Sequence, residues 1–339
     1  MFIIIKTGKN RTDNNHFDIC SKYFYSKLTE QEKNLYEKIS SGWFDHKSKI
    51  MVAGQYSSHS FERVFEAIHE DIPELFYVNF SRISISGTPM AMCVSAEYLY
   101  SKAESESLII QIKDVLKIIL ASSTNNVDKI KVAHDYLTKN VKYAFSAKTD
   151  DVYSIVGALL NKEAVCEGYA RSFKLLCDTL GVPCIVVSGT ATNLNGAPER
   201  HAWNIVRFNG ANYHVDTTWD APSYRSGATM PYYLVSDQYI HRDHKWDENK
   251  WPKCYTKGSF ESNTITVTGP GKLIEVLKQA IMLKKTEVTI SFNKTFSSEK
   301  EINKLISDSI SKISPMNVAQ YSCRFVGKYD NVIVGFVYR

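Results

Sequence analysis

Glu163-Ala-Val-Cys-Glu-Gly-Tyr-Ala-Arg-Ser-Phe-Lys-Leu-Leu-Cys-Asp-Thr-Leu-Gly-Val-Pro183 is the stretch from which the organisation of this chain can be read. Apolar residues at Val165, Tyr169, Phe173, Leu176 and Leu180 keep helical spacing, and Gly181 followed by Pro183 supplies a stop signal. The spacing predicts a helix that opens at Cys166, ends at Gly181 and anchors one face in a core while its first turn meets a cleft. A thiol at a helix start meets unpaired backbone N–H groups and the positive end of the helix dipole, which favour the thiolate. The same N–H groups are suited to receive an oxyanion. Taken alone, Cys166 reads more readily as a small buried hydrophobe, as most cysteines are. Cys177 and Cys184 fit that description, and their spacing matches no zinc-ligand pattern.

The residues downstream change the reading of Cys166. His201-Ala-Trp-Asn-Ile-Val-Arg-Phe208 and Ala211-Asn-Tyr-His-Val-Asp216 flank Asn209-Gly210, the strongest short hairpin signal. With Asn209 and Gly210 in the turn, Phe208 faces Ala211 and Asp216 comes opposite Trp203. His201, two residues from Trp203, then becomes a diagonal neighbour of Asp216 at about 7–8 Å between Cα atoms, a gap that side chains bridge. A one-residue slip would put the two on opposite faces. An imidazole takes a thiol proton and later donates one to a leaving amine, and a carboxylate on its other nitrogen sets tautomer and orientation. These roles fall on Cys166 as nucleophile, His201 as base and Asp216 as orienting carboxylate. His214, on the same face but nearer the turn, is the rival base. His69, His134, His241 and His244 read as surface or satisfied core residues. The face carrying Val206, Phe208, Tyr213 and Val215 is the one expected to meet the core.

Val165-Cys166-Glu167-Gly168-Tyr169-Ala170, His201-Ala202-Trp203-Asn204 and Tyr213-His214-Val215-Asp216-Thr217-Thr218-Trp219-Asp220, in this order, resemble the transglutaminase-like superfamily in its bacterial form. The resemblance spans about 130–250, including Val141-Lys142-Tyr143 and Tyr232-Tyr233-Leu234-Val235-Ser236-Asp237. It implies an α+β, papain-like core in which a Cys-bearing helix packs on an antiparallel sheet, with the triad on Cys166, His201 and Asp216. The backbone N–H of Cys166 is one oxyanion donor, and Tyr143 is a candidate for a second. Trp203 and Trp219 are candidates for an acyl-donor channel, although aromatic residues beside a hairpin more often pack. No motif suggests a calcium loop of the EF-hand type, and no metal or organic cofactor is required.

The rest of the chain divides around this core. Thr29 and Glu32 form a capping box ahead of helical spacing at Leu35, Tyr36 and Ile39, with Gly42 as the expected stop. A second helix is expected over 60–69, paired strands over 76–85 and 91–100, and helices over 106–121 and 128–140. After a polar linker beyond Tyr255, the order strand, helix, strand, helix, two strands predicts a small α/β sandwich. The expected division is a mixed N-terminal region over 1–105, a catalytic core over 106–255 and a C-terminal domain over 264–339. Met1-Phe-Ile-Ile-Ile-Lys6 is shorter than the apolar core of about 7–15 residues in a signal peptide and reads as a leading strand.

Composition narrows the partners. The net charge of +5 is spread along the chain, so no patch points to nucleic acid or an anionic membrane. No stretch approaches the ~18 apolar residues of a membrane span. The seven cysteines form no C-x-x-C pair and read as reduced thiols, which points to a cytoplasmic protein. The expected function is cysteine-dependent hydrolysis or acyl transfer at an amide of a protein or peptide substrate, through a thioester on Cys166. Hydrolysis is preferred because water attacks by default where no amine pocket is evident. The alternative is a non-catalytic scaffold or protein-binding module, which would have no need of all three residues.

Overall fold

A computed structural model describes residues 22–88, 91–122, 129–192, 196–222, 232–293, 296–313, 318–326 and 331–339. The strand expected at 1–6 lies outside the described residues. Helix α1 (Glu30–Phe44) starts at the Thr29 capping box, in which Thr29 and Glu32 exchange side-chain and backbone hydrogen bonds. It runs two residues past the expected stop. Gly42 is there for packing: a Cβ at this position would come within 2.5 Å of the Ile50 side chain. Strand β1 (Lys49–Ala53) and helix α2 (Ser58–Asp71) follow, then β2 (Ser84–Thr88) and β3 (Ala91–Ser95). The three strands form a small sheet in the order β1-β3-β2. The long strand expected over 76–85 is therefore confined to its last residues. The preceding part forms short 3-10 turns at Pro73–Leu75 and Phe80–Arg82 instead, with Leu75 and Phe76 buried.

Helices α3 (Lys102–Ala121) and α4 (Lys129–Asn140) lead to a parallel pair of two-residue strands, β4 (Lys142–Tyr143) and β5 (Glu163–Ala164). Helix α5 (Cys166–Thr179) begins two residues later. It packs on an antiparallel sheet in the order β10-β6-β7-β8-β9. These strands are β6 (Cys184–Thr192), β7 (Pro198–Phe208), β8 (Ala211–Val215), β9 (Tyr233–Val235) and β10 (His244–Lys245), with helix α6 (Asp237–Ile240) between the last two. This is the α+β, papain-like arrangement of a Cys-bearing helix on an antiparallel sheet. The hairpin has the expected register, with Phe208 opposite Ala211 and Asn204 opposite Val215. Positive φ angles at Asn209 and Gly210 are those the two-residue turn demands. Both faces of β7 are buried, not one: Ala202, Asn204 and Val206 as well as His201, Trp203 and Ile205 are covered.

Helix α7 (Ser259–Asn263) precedes β11 (Thr264–Val267), α8 (Pro270–Met282), β12 (Glu287–Phe292), α9 (Glu299–Ile310), β13 (Val318–Val326) and β14 (Asn331–Tyr338). These strands form a sheet in the order β11-β12-β14-β13. One hydrophobic cluster extends from Tyr23 to Cys254, and a second holds Val267 to Phe336. Among the described residues no helix is long and apolar enough to cross a membrane.

Candidate active site

Cys166 is the first residue of α5 and is half-buried. Val165 holds the cap position and supplies no side-chain acceptor. The first-turn N–H groups therefore have no side-chain cap at the point where a helix is most receptive to negative charge. Gly168, one turn in, is dictated by close approach: a Cβ would lie 2.3 Å from the Val152 carbonyl oxygen and 2.9 Å from the Ala164 Cβ. This contact sets the helix start against the segment that carries β5. Asn204 on β7 ties the same helix to the sheet, donating to the carbonyls of Ala170 at 2.9 Å and Ile185 at 3.3 Å.

His201 lies on β7 with Nε2 at 2.7 Å from Asp216 Oδ2. The Cys166 side chain is close enough to the ring to help raise its protonation. Since Nε2 faces the carboxylate, Nδ1 is the nitrogen left for the sulfur. Asp216 follows directly on β8, and its Oδ1 accepts from the backbone N–H groups of Thr218 at 2.9 Å and Trp219 at 3.1 Å. Its Oδ2 faces a second histidine, His244 Nε2, at 3.0 Å. Burial works against charge on His201, but Asp216, by charge and hydrogen bond, and then Cys166 outweigh it and push the ring up to about 10. Burial likewise opposes charge on Asp216, and His201 and His244 more than offset it, holding the carboxyl well below its ordinary range.

The rival base, His214, faces away from this chemistry. Its Nδ1 accepts from Trp203 Nε1 at 2.9 Å, so its proton sits on Nε2, which faces Asp237 at 2.8 Å. Burial pushes this ring down, toward the neutral form. Trp203 and Trp219 are themselves buried, with ring centroids 6.0 and 5.5 Å from His201. Tyr143 pairs with Ala164 in the β4–β5 ladder, and its ring lies 4.9 Å from Phe145. The sequence alone reads His244 as a surface or satisfied core residue and does not single out Asp243, because both lie far along the chain from the hairpin and carry no local pattern.

Among the described residues, two sets of donor atoms are close enough to share a metal ion: His201, Asp216 and His244, and His214, Asp237 and Cys254. In the first, the carboxylate already bonds both histidines. In the second, the proton on His214 Nε2 stands where a metal would need a lone pair. Both sets read as proton-sharing clusters.

A cavity of about 320 Å³ lies beside the helix start, lined by Phe76, Phe80, Tyr153, Glu167 and Arg171 among others. Arg171 donates to Glu167 Oε1 at 2.9 Å and to the His69 carbonyl at 2.7 Å, which joins α5 to the end of α2.

The fold and this cluster define an α+β protein with a thiol at a helix start, an imidazole beside it and a carboxylate behind the imidazole. Residues 113–217, which enclose Cys166, His201 and Asp216, match the model of the transglutaminase-like superfamily. The kyphoscoliosis peptidase of Mus musculus is 22% identical over 175 residues, covering 45% of this chain and 26% of that protein. Its Homo sapiens counterpart is 23% identical over 156 residues, covering 41% and 23%. The chain thus spans about a quarter of the length of these relatives. A solved structure described as a TGase is similar at a TM-score of 0.30 and 15% identity, covering 52% of this chain and 53% of that one.

Proposed function

We propose that Cys166, His201 and Asp216 act as a catalytic triad in a cysteine-dependent amide hydrolase or acyltransferase on protein or peptide substrates. The observation that carries this reading is the position of His201, 2.7 Å from Asp216 and close enough to Cys166 for that side chain to help raise its protonation. Cys166 Sγ attacks the amide carbon, and the carbonyl oxygen becomes an oxyanion facing the first-turn N–H groups of α5. The C–N bond breaks, His201 delivers its proton to the leaving amine, and a thioester remains on Cys166. Water or an amine then attacks the thioester, His201 takes the proton, and the thiolate departs. Asp216 keeps the imidazole oriented throughout.

The cavity reaches Glu167, the residue after Cys166, but Cys166, His201 and Asp216 do not line it. It is lined in part by residues of 73–81 in the N-terminal region. Hydrolysis is the preferred outcome, because the sequence carries no dedicated amine pocket and water then attacks by default.

Mass spectrometry of glutamine- and lysine-containing peptides, incubated with the protein and with Cys166→Ala, with and without a primary amine, tests the reading. A mass change that requires Cys166 identifies cleavage, deamidation or transamidation. Equal product with both proteins would sink it.

A further inference from the structure

Asp216 Oδ2 serves two histidines, His201 and His244. His244 lies on β10, where it is fully buried. Its Nε2 is 3.0 Å from Asp216 Oδ2, and its Nδ1 is 2.7 Å from Asp243 Oδ1. The other oxygen of Asp243 accepts from the Tyr232 hydroxyl at 2.5 Å. Asp216 is equally committed as an acceptor, with two backbone N–H groups on Oδ1 and His201 on Oδ2. A neutral imidazole has a single N–H and satisfies only one of two carboxylates. An imidazolium satisfies both.

Ring centroids of Trp219, Trp203 and Tyr232 lie 4.4, 4.9 and 5.5 Å from that of His244, and the His201 ring lies 5.3 Å away, so the two imidazoles and the two carboxylates form one cluster. The titratable groups that face it are His201 from β7, His214 and Asp216 from β8 and the residue after it, Tyr232, and Asp243 beside it. Lys245, the next residue, is exposed.

We propose that His244 is a doubly protonated imidazole bridging Asp216 and Asp243, a positioning residue that shares the Asp216 carboxylate with His201 and limits the negative charge presented to the base. The inference rests on the triad reading for its catalytic meaning. A carboxylate that served His201 alone would hold that ring protonated more firmly. A protonated ring donates well to a leaving amine but takes no proton from water. With a second cation on the same oxygen, His201 releases its proton more easily, which suits the thioester-hydrolysis step.

The test is histidine NMR on the full chain carrying labelled imidazoles, in a Cys166→Ala background so that the thiol does not titrate together with His201. His244 should show protons on both nitrogens at neutral pH. His244→Gln keeps an N–H toward Asp216 but removes the charge, and the His201 midpoint should move upward by about one pH unit. Asp243→Asn leaves His244 in place but removes its second carboxylate, and should move the midpoint in the same direction. A purely structural role for His244 moves neither midpoint. A single N–H on His244, or His201 midpoints unchanged in both variants, would overturn the proposal. The measurement needs no turnover, so it separates this proposal from the triad reading. That reading fails on its own if His201→Gln leaves the alkylation rate of Cys166 unchanged at every pH.

Discussion

Cys166 and Asp216 differ in how far their chemistry separates from stability. The thiol is half-buried at a helix start, so Cys166→Ala should abolish thioester formation and change unfolding free energy by less than about 1 kcal/mol. Asp216 is fully buried and accepts from two histidines and two backbone N–H groups. From the hairpin alone, Asp216→Asn would leave the fold largely intact. The structure raises the cost: the amide NH₂ of Asn would meet two imidazole N–H groups, and breaking a buried pair of this kind costs about 3–5 kcal/mol. Turnover should still fall by up to about 10⁴-fold, the loss seen when an amide replaces a triad carboxylate. Thermal unfolding and turnover on the same three preparations check both statements, and equal rates in all three would end the triad reading.

The same residues set a pH dependence. His201 is raised from 6.5 to about 10, so its pairing stabilises fully below 6.5 and fades as pH rises toward about 10. Asp216 is depressed from 3.8, so its contribution is present above 3.8 and fades as pH falls through its lower folded value. The two are one interaction and count once. The Tm difference between the protein and His201→Gln should therefore be largest between 3.8 and 6.5 and shrink on the alkaline side. A difference that grew from 6.5 to about 10 would contradict the pairing.

At the scale of elements, the site depends on where α5 starts and how it is tied to β7. The Gly168 contact with the Val152 carbonyl leaves no room for a methyl group. Gly168→Ala should displace the helix start, destabilise the protein by about 1–3 kcal/mol and slow iodoacetamide labelling of Cys166. In the unmodified protein Cys166 should be the first thiol labelled, because it joins a helix start to a nearby histidine. First labelling at buried Cys254, whose thiol burial pushes up, would count against this. The hairpin element was fully legible beforehand, because turn chemistry and register reside in the few residues around Asn209 and Gly210.

Across the whole molecule, two hydrophobic clusters divide the chain between Cys254 and Val267. Helix α7 belongs with the first: Glu261 accepts from the Ser236 N–H and hydroxyl, each at 2.6 Å. We expect a chain ending after Asn263 to fold and to keep the Cys166 labelling rate. Removal of residues 22–100 should unfold the remainder, since Trp43, Phe61 and Val94 share one cluster with Phe173 and Trp203. Circular dichroism and labelling kinetics on the two truncations check this. A cooperative, reactive protein lacking 22–100 would show the N-terminal region to be dispensable.

Local chemistry was readable from the chain itself. The Thr29 cap, the helix from Cys166, the Asn209-Gly210 turn and the alternation of β11 to β14 each depend on residues within a few positions of one another, and their periodicity is a direct consequence of backbone geometry. The tertiary structure decided what those residues meet. Gly42 reads as a stop until Ile50 is seen to need its space, and β7 reads as half-buried until its second face is covered. His244 lies 28 residues from Asp216 and carries no motif. It reaches the carboxylate because β10 pairs with β6 at Ala191 and Thr190, and because Gly189, having no Cβ, leaves room for the Lys245 carbonyl. Spacing along a chain records which residues repeat on one face of a helix or strand, whereas a contact between distant segments depends on the packing of every element between them.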